Sequence, residues 1–207
     1  MNNEPRKQVL WLEWSLLFIG MPIFAWTEVV PASKFLIFAL PILYSIVVYR
    51  RNRPQIDLKQ NRPNVVAIAL RVIFGFSLLT LGVHLFLKDD LFLLPRSKPE
   101  LWILILCCYP FVSAWPQEFL YRKFYFWRYQ RLFPGESGLV WSSTLTFSFL
   151  HVMYDHWVPL VLTLAGGYLF SRLYVKTGSL FWPWLEHSLF GLWIFTVGLG
   201  SFFYEGP

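Results

Sequence analysis

Apolar runs of membrane-spanning length recur along the whole chain, and they limit the fold more than any other feature. The run from Asn64 to Leu87 is the plainest, with Arg71 and His84 among otherwise mostly apolar residues. A helix crossing hydrocarbon needs roughly 20 mostly apolar residues, and seven candidate spans emerge. They run from Val9 to Val30, Phe35 to Tyr49, Asn64 to Leu87, Leu101 through Phe133, Gly138 to Tyr154, Trp157 to Tyr174 and Leu180 to Tyr204. The chain is 56% hydrophobic, 20% aromatic and 14% charged, against about 25% charged in a typical soluble domain. A soluble protein of 207 residues could not hide that much apolar surface. The expected fold is therefore all-α, a polytopic integral membrane helical bundle with about seven transmembrane helices and six to eight as the bracket.

Breaks between the runs carry turn chemistry. Pro31-Ala32-Ser33-Lys34 separates the first two, and the polar stretch from Arg50 to Pro63 separates the second and third. Lys88 to Glu100 forms another loop, with Leu91 to Leu94 expected in the interface. Pro22 is an expected kink, Pro110 and Pro116 should bend the fourth run, and Pro134-Gly135 should end it. The first run contains Glu13 and has no small-residue cleavage site, so it reads as a retained helix rather than a signal peptide. Adjacent Cys107 and Cys108 are expected to serve apolar packing rather than a disulfide. One membrane domain is expected overall. Residues 1–100 supply helices without a motif, and 101–207 form the motif-bearing half.

The formal charge of +6 comes from 18 Lys and Arg against 12 Asp and Glu. With the N-terminus inside and seven crossings, thirteen of those 18 basic residues fall on the inner side. Lys34, Lys88, Arg96 and Lys98 fall outside, and Arg71 stays within a span. This asymmetry is that of cytoplasmic loops. It points to a multi-pass protein of a bacterial inner membrane with a cytoplasmic N-terminus. No basic cluster has the single-face layout of a nucleic-acid site, so the lipid bilayer is the expected partner and nucleic acid is not.

Three polar places interrupt the lipid-like runs. The first is Gln117-Glu118-Phe119-Leu120-Tyr121-Arg122. Positions four apart share a helix face, so Glu118 and Arg122 can pair, with Trp115 and Tyr125 roughly on the same face. A structural ion pair between helices is the competing reading. The second is His151, following Phe147 and Ser148 by one turn, with Thr144 extending the polar stripe. Taken alone, a histidine satisfied by a hydroxyl or a carbonyl explains it, and Asp155-His156 read as a membrane-edge cap. The third is Glu186-His187, followed one turn later by Gly191. Glu186 can complement the positive end of its helix, and Gly191 and Gly198 allow close helix approach. Ionisable groups at membrane depth face a protein interior or a water-filled cavity. Together, Glu118, His151 and His187 are the set needed to deprotonate water, position it and stabilise an oxyanion. His₂Glu is also a catalytic zinc arrangement. The residues alone leave water activation with and without metal both standing, and there is no His-Glu-x-x-His stretch.

In this order, the three places resemble the CPBP family. These are the CAAX-protease and bacteriocin-processing proteins, also called Abi or type II CAAX prenyl endopeptidase-like. The family pattern is Glu-Glu-x-x-x-Arg, then Phe-x-x-x-His, then His-x-x-x-Asn or Asp. The resemblance covers Leu101 to Tyr204. It implies a glutamate-type intramembrane endopeptidase acting on a prenylated or other membrane-associated peptide substrate. Glu118, Arg122, His151 and His187 would be catalytic, with no cofactor and no covalent enzyme intermediate; a zinc ion at Glu118, His151 and His187 is the alternative. Two positions depart from the pattern. Gln117 stands where the family has its first Glu, so Glu118 is expected to take over as base. Gly191 stands where Asn or Asp would help hold an oxyanion, and Glu186 or a backbone group is expected to compensate. The competing functions are a non-catalytic immunity or scaffold protein binding a peptide or lipidated tail in the same cavity, and a small transporter. Inverted-repeat transport predicts two similar halves, and the chain has no internal repeat.

Overall fold

The computed structural model describes residues 6–27, 34–52 and 61–203. Each expected apolar run corresponds to one helix: α1 (Lys7–Trp26), α2 (Lys34–Asn52), α3 (Val65–Phe86), α4 (Pro99–Arg128), α5 (Gly135–Leu150), α6 (Trp157–Thr177) and α7 (Phe181–Val197). No strand occurs among the described residues. By length and composition α1, α3, α4 and α6 can each cross a membrane. The expected break at Pro31-Ala32-Ser33, the loop stretch from Arg53 to Gln60 and the run ends at Val30 and Tyr204 lie outside the described residues.

Several boundaries differ from expectation. α2 continues through Arg50 and Arg51, whose cations suit the negative end of a helix. α4 stops at Arg128, not Phe133, because Leu132 and Phe133 turn back to the Tyr129 carbonyl. Pro134 and Gly135 therefore open α5 instead of closing α4. α5 ends at Leu150, and His151–Tyr154 forms a tighter 3₁₀ turn. Gly178 and Gly198 end α6 and α7 in the left-handed conformation, at φ 63° and 118°. A Cβ on Gly198 would also stand 2.2 Å from the Asp90 carbonyl oxygen. The 88–97 connection is thus folded against the end of α7, with Phe92 N donating to the Val197 carbonyl.

Proline acts on two of these helices through π turns. Its ring conflicts with the carbonyl four residues back and it has no N–H to donate. A π turn, bonded i to i+5, is one way to take up that defect. In α1 the π turn is Leu16–Gly20, just before Pro22. In α4 there are two, Pro110–Ala114 and Phe119–Phe124, on either side of the single α turn Trp115–Glu118.

Polarity is inverted relative to a soluble bundle. Phe86 is 83% exposed and Val112 75%, whereas Glu118, Arg122, Glu186, Ser143 and Thr144 are fully buried. Cys107 and Cys108 lie free on the outer surface of α4 and are not packed inside. α5 is the innermost polar helix, burying Ser142, Ser143, Thr144, Thr146 and Ser148. Gly167 lets α6 come close, since a Cβ there would stand 3.1 Å from Phe147 and 3.4 Å from the Thr144 carbonyl oxygen. Phe18 of α1 packs edge-on against Tyr121, Tyr125 and Tyr129. Arg128 and Tyr129 bind Glu13 of α1 at 2.6 to 2.9 Å. These contacts seat α1 against α4.

Candidate active site

The short α turn between the two π turns of α4 carries Glu118 into the interior. Its Oε1 lies 2.8 Å from His187 Nδ1 of α7. Its Oε2 lies 3.2 Å from Arg122 Nε, off the line that a hydrogen bond needs. Glu118 Oε2 and Arg122 Nε are consequently both buried and without a hydrogen-bond partner. The remaining Arg122 nitrogens reach the Ser143 hydroxyl at 3.0 Å and the Tyr121 and Gly167 carbonyls at 3.4 Å. The guanidinium sits 5.0 Å above the Phe147 ring. Arg122 is thus gripped from α5 and α6 while it faces the carboxylate.

Phe147 joins the three places. Its ring contacts His151 at 5.2 Å, His187 at 5.6 Å and Tyr121 at 5.2 Å. His187 is further clamped by stacking on Phe170, 4.9 Å away. His151 Nδ1 lies 2.9 Å from the Phe147 carbonyl. A carbonyl only accepts, so Nδ1 carries the proton and the Nε2 lone pair is left for another donor. His187 differs, because both of its nitrogens are engaged. Nδ1 faces Glu118, and Nε2 lies 3.1 Å from the Tyr109 hydroxyl. With Glu118 as a carboxylate, Nδ1 donates and Nε2 accepts from Tyr109. Among the described residues, no three His, Cys, Asp or Glu side chains form a metal-ligating group.

Residues 99–193 match the family model for type II CAAX prenyl endopeptidase Rce1-like proteins. Over this stretch the chain is similar to the CAAX-protease (CPBP) family. The matched stretch holds all three polar places and leaves α1, α2 and α3 outside it. No curated protein and no solved structure matches the chain.

The structure also refines several expectations for the side chains around this site. Glu186 makes two hydrogen bonds to Arg71 of α3, at 2.5 and 2.7 Å, so neither the helix dipole nor the space beside Gly191 is its main partner. That pairing also accounts for Arg71, the one basic residue left inside a span. Trp115 and Tyr125 do not line the site. The π turn at Phe119–Phe124 changes the residue count per turn, so spacing beyond it no longer follows a 3.6-residue period. Trp115 stacks on Phe119 and is 42% exposed, while the Tyr125 hydroxyl accepts from Trp14 Nε1. Thr144 and Ser148 are satisfied by the Val140 and Leu160 carbonyls, and Ser143 is the α5 hydroxyl that reaches Arg122. His156 caps α6 by accepting from Val158 N, and Asp155 accepts from Trp26 Nε1.

Gln117 and Gly191 are the two positions that depart from the pattern the chain resembles. Gln117 Nε2 donates to Ser113 Oγ at 2.9 Å, and its Oε1 is buried and unpartnered. Gly191 has no open space beside it. A Cβ there would fall 2.2 Å from the Tyr109 hydroxyl oxygen and 2.3 Å from the ring. Tyr109 is the site residue that the sequence reading missed. Only the demand for a small residue at position 191 hinted that something from another helix came close.

Proposed function

We propose that the chain is a glutamate-type intramembrane endopeptidase in which Glu118 is the general base. The observation that carries this reading is Glu118 itself: one oxygen is fixed by His187 and the other is buried, beside Arg122, with a lone pair unused. Glu118 Oε2 takes a proton from water, and the resulting hydroxide oxygen bonds to the carbonyl carbon of the scissile amide. The C–N bond then breaks as that proton passes from Glu118 to the leaving nitrogen. A carboxylate and an amine are released, with no covalent enzyme intermediate. His151, with Nε2 uncommitted, orients the water. The Arg122 charge stabilises developing negative charge in a site closed to bulk solvent. Glu118 and His187 bond to each other rather than presenting both donors to a common point, which favours water activation without a metal.

The substrate class is a prenylated or other membrane-associated peptide. A groove of about 470 Å³ lined by Phe111, Trp115, Leu180, Phe181 and Trp184 is apolar enough for a lipid chain. Trp115 lies three residues before Glu118, and Trp184 lies three before His187. In this reading α1 to α7 all cross a bacterial inner membrane with the N-terminus inside.

A second reading, a non-catalytic protein that grips a lipidated tail, is favoured by the amide at Gln117, which cannot act as a base. Cleavage of a prenylated CAAX-type peptide in proteoliposomes separates the two. Under the enzyme reading the native chain cleaves it, and Gln117→Glu leaves the rate within the same order of magnitude. A native chain that binds the peptide without cutting it, and cuts once Gln117→Glu is made, supports the binding role instead.

A further inference from the structure

The phenol of Tyr109 fills the volume beside Gly191. The third motif ends in a residue without a side chain, yet the volume that a side chain would fill is occupied by a phenol from α4. The Tyr109 hydroxyl oxygen stands 2.2 Å from the ideal Cβ of position 191, closer than any two atoms could coexist. It also stands 3.1 Å from His187 Nε2, on the side of the imidazole away from Glu118. The hydroxyl is buried although part of the ring is not, and the Ser113 side chain lies within its reach. Ser113 in turn accepts from Gln117. Tyr109, Ser113 and Gln117 follow one another at four-residue spacing along α4, across the first π turn. A buried hydroxyl needs a partner, and a tyrosine here has one in the ring that holds the carboxylate.

We infer that Tyr109 is the positioning residue of this site, supplying from α4 the polar group that Gly191 lacks on α7. It does so by donating to His187 Nε2 and holding His187 as the Nδ1–H tautomer that faces Glu118. The second nitrogen of an imidazole sets which tautomer is present, so its partner controls what the first nitrogen offers. Position 191 must then be glycine for as long as position 109 is tyrosine. Loss of the hydroxyl leaves His187 free to tip or to move its proton to Nε2, and Glu118 Oε1 loses a fixed donor. This inference deepens the peptidase reading and rests on it for the effect on rate, but not for the effect on His187.

Histidine ¹⁵N spectra of the full chain in lipid, assigned among its four histidines, test the inference with or without cleavage. Tyr109→Phe is expected to shift the His187 Nε2 signal away from its hydrogen-bonded acceptor position. It should also lower kcat on the order of tenfold, the effect of one buried hydrogen bond, while KM stays near native. Gly191→Asn alone should disable the protein by collision with the phenol. Tyr109→Ala with Gly191→Asn vacates that volume and returns an amide N–H close to Nε2, so it should recover most of the rate lost in Tyr109→Ala. His187 signals unchanged in Tyr109→Phe overturn the inference, as does a double variant no better than Tyr109→Ala. A native chain that cleaves nothing overturns the peptidase reading instead, and the His187 signals still decide the role of Tyr109.

Discussion

Glu118 and Glu186 are both fully buried in a lipid-facing bundle and each faces an arginine, but the two pairs are built differently. Glu186 spends both oxygens on Arg71, at 2.5 and 2.7 Å, in the fork geometry that gives the strongest charge-assisted bonds. It is saturated, and it ties α3 to α7. Glu118 has an arginine four residues on, yet that arginine approaches edgewise and bonds mainly to Ser143. One carboxylate oxygen is held by a histidine and the other by nothing that donates to it. Glu13, bound by Arg128 and Tyr129, is built like Glu186. Two acids are used as ties, and one is kept incompletely satisfied. An unmet buried acceptor costs about 1–3 kcal/mol, and its persistence beside His187 is what the proposed base role rests on.

The difference can be broken experimentally. Glu118→Gln should reduce cleavage by about 10²–10⁴, the range for losing a general base, and should also lower the unfolding temperature in detergent, because Arg122 is left buried without its counter-charge. Arg122→Ala should act first on stability. It removes the guanidinium paired with buried Glu118 and empties a buried site, at a cost of about 3–5 kcal/mol in unfolding free energy. His151→Ala should lower kcat on the order of 10² with little change in unfolding, since only one of its nitrogens supports the fold. Glu186→Gln is the smallest effect. Arg71 keeps a third of its side chain exposed, so screening reduces the loss to about 1–2 kcal/mol of stability, with kcat in the native range.

The contrast also shows which parts of the molecule can be read from its residues. Helices were legible because hydropathy sums over a whole turn-rich segment, and one displaced residue does not alter the sum. The three polar places were legible because each is costly in lipid and stands out against its run. The pairing of Arg71 with Glu186 spans 115 positions, and periodicity within one helix says nothing about partners on another. An unexplained cation in α3 was nonetheless a signal that an acid elsewhere had to meet it. Faces beyond Phe119 were misassigned because a π turn re-phases the helix, which placed Tyr125 wrongly at the site, whereas Trp115, before that turn, stacks on Phe119. Tyr109 could not be singled out among ten tyrosines. Its role depends on a close approach to Gly191 that only the packed bundle displays.

The most direct measurement compares kcat for Glu118→Gln and Glu186→Gln on one prenylated peptide, in proteoliposomes of one lipid composition, with folding of both verified by thermal unfolding. If Glu118 is the base and Glu186 a tie, the first variant loses about 10²-fold or more, and the second keeps a native kcat on a less stable fold. Equal rates in the two variants, or native cleavage by Glu118→Gln, would contradict the account.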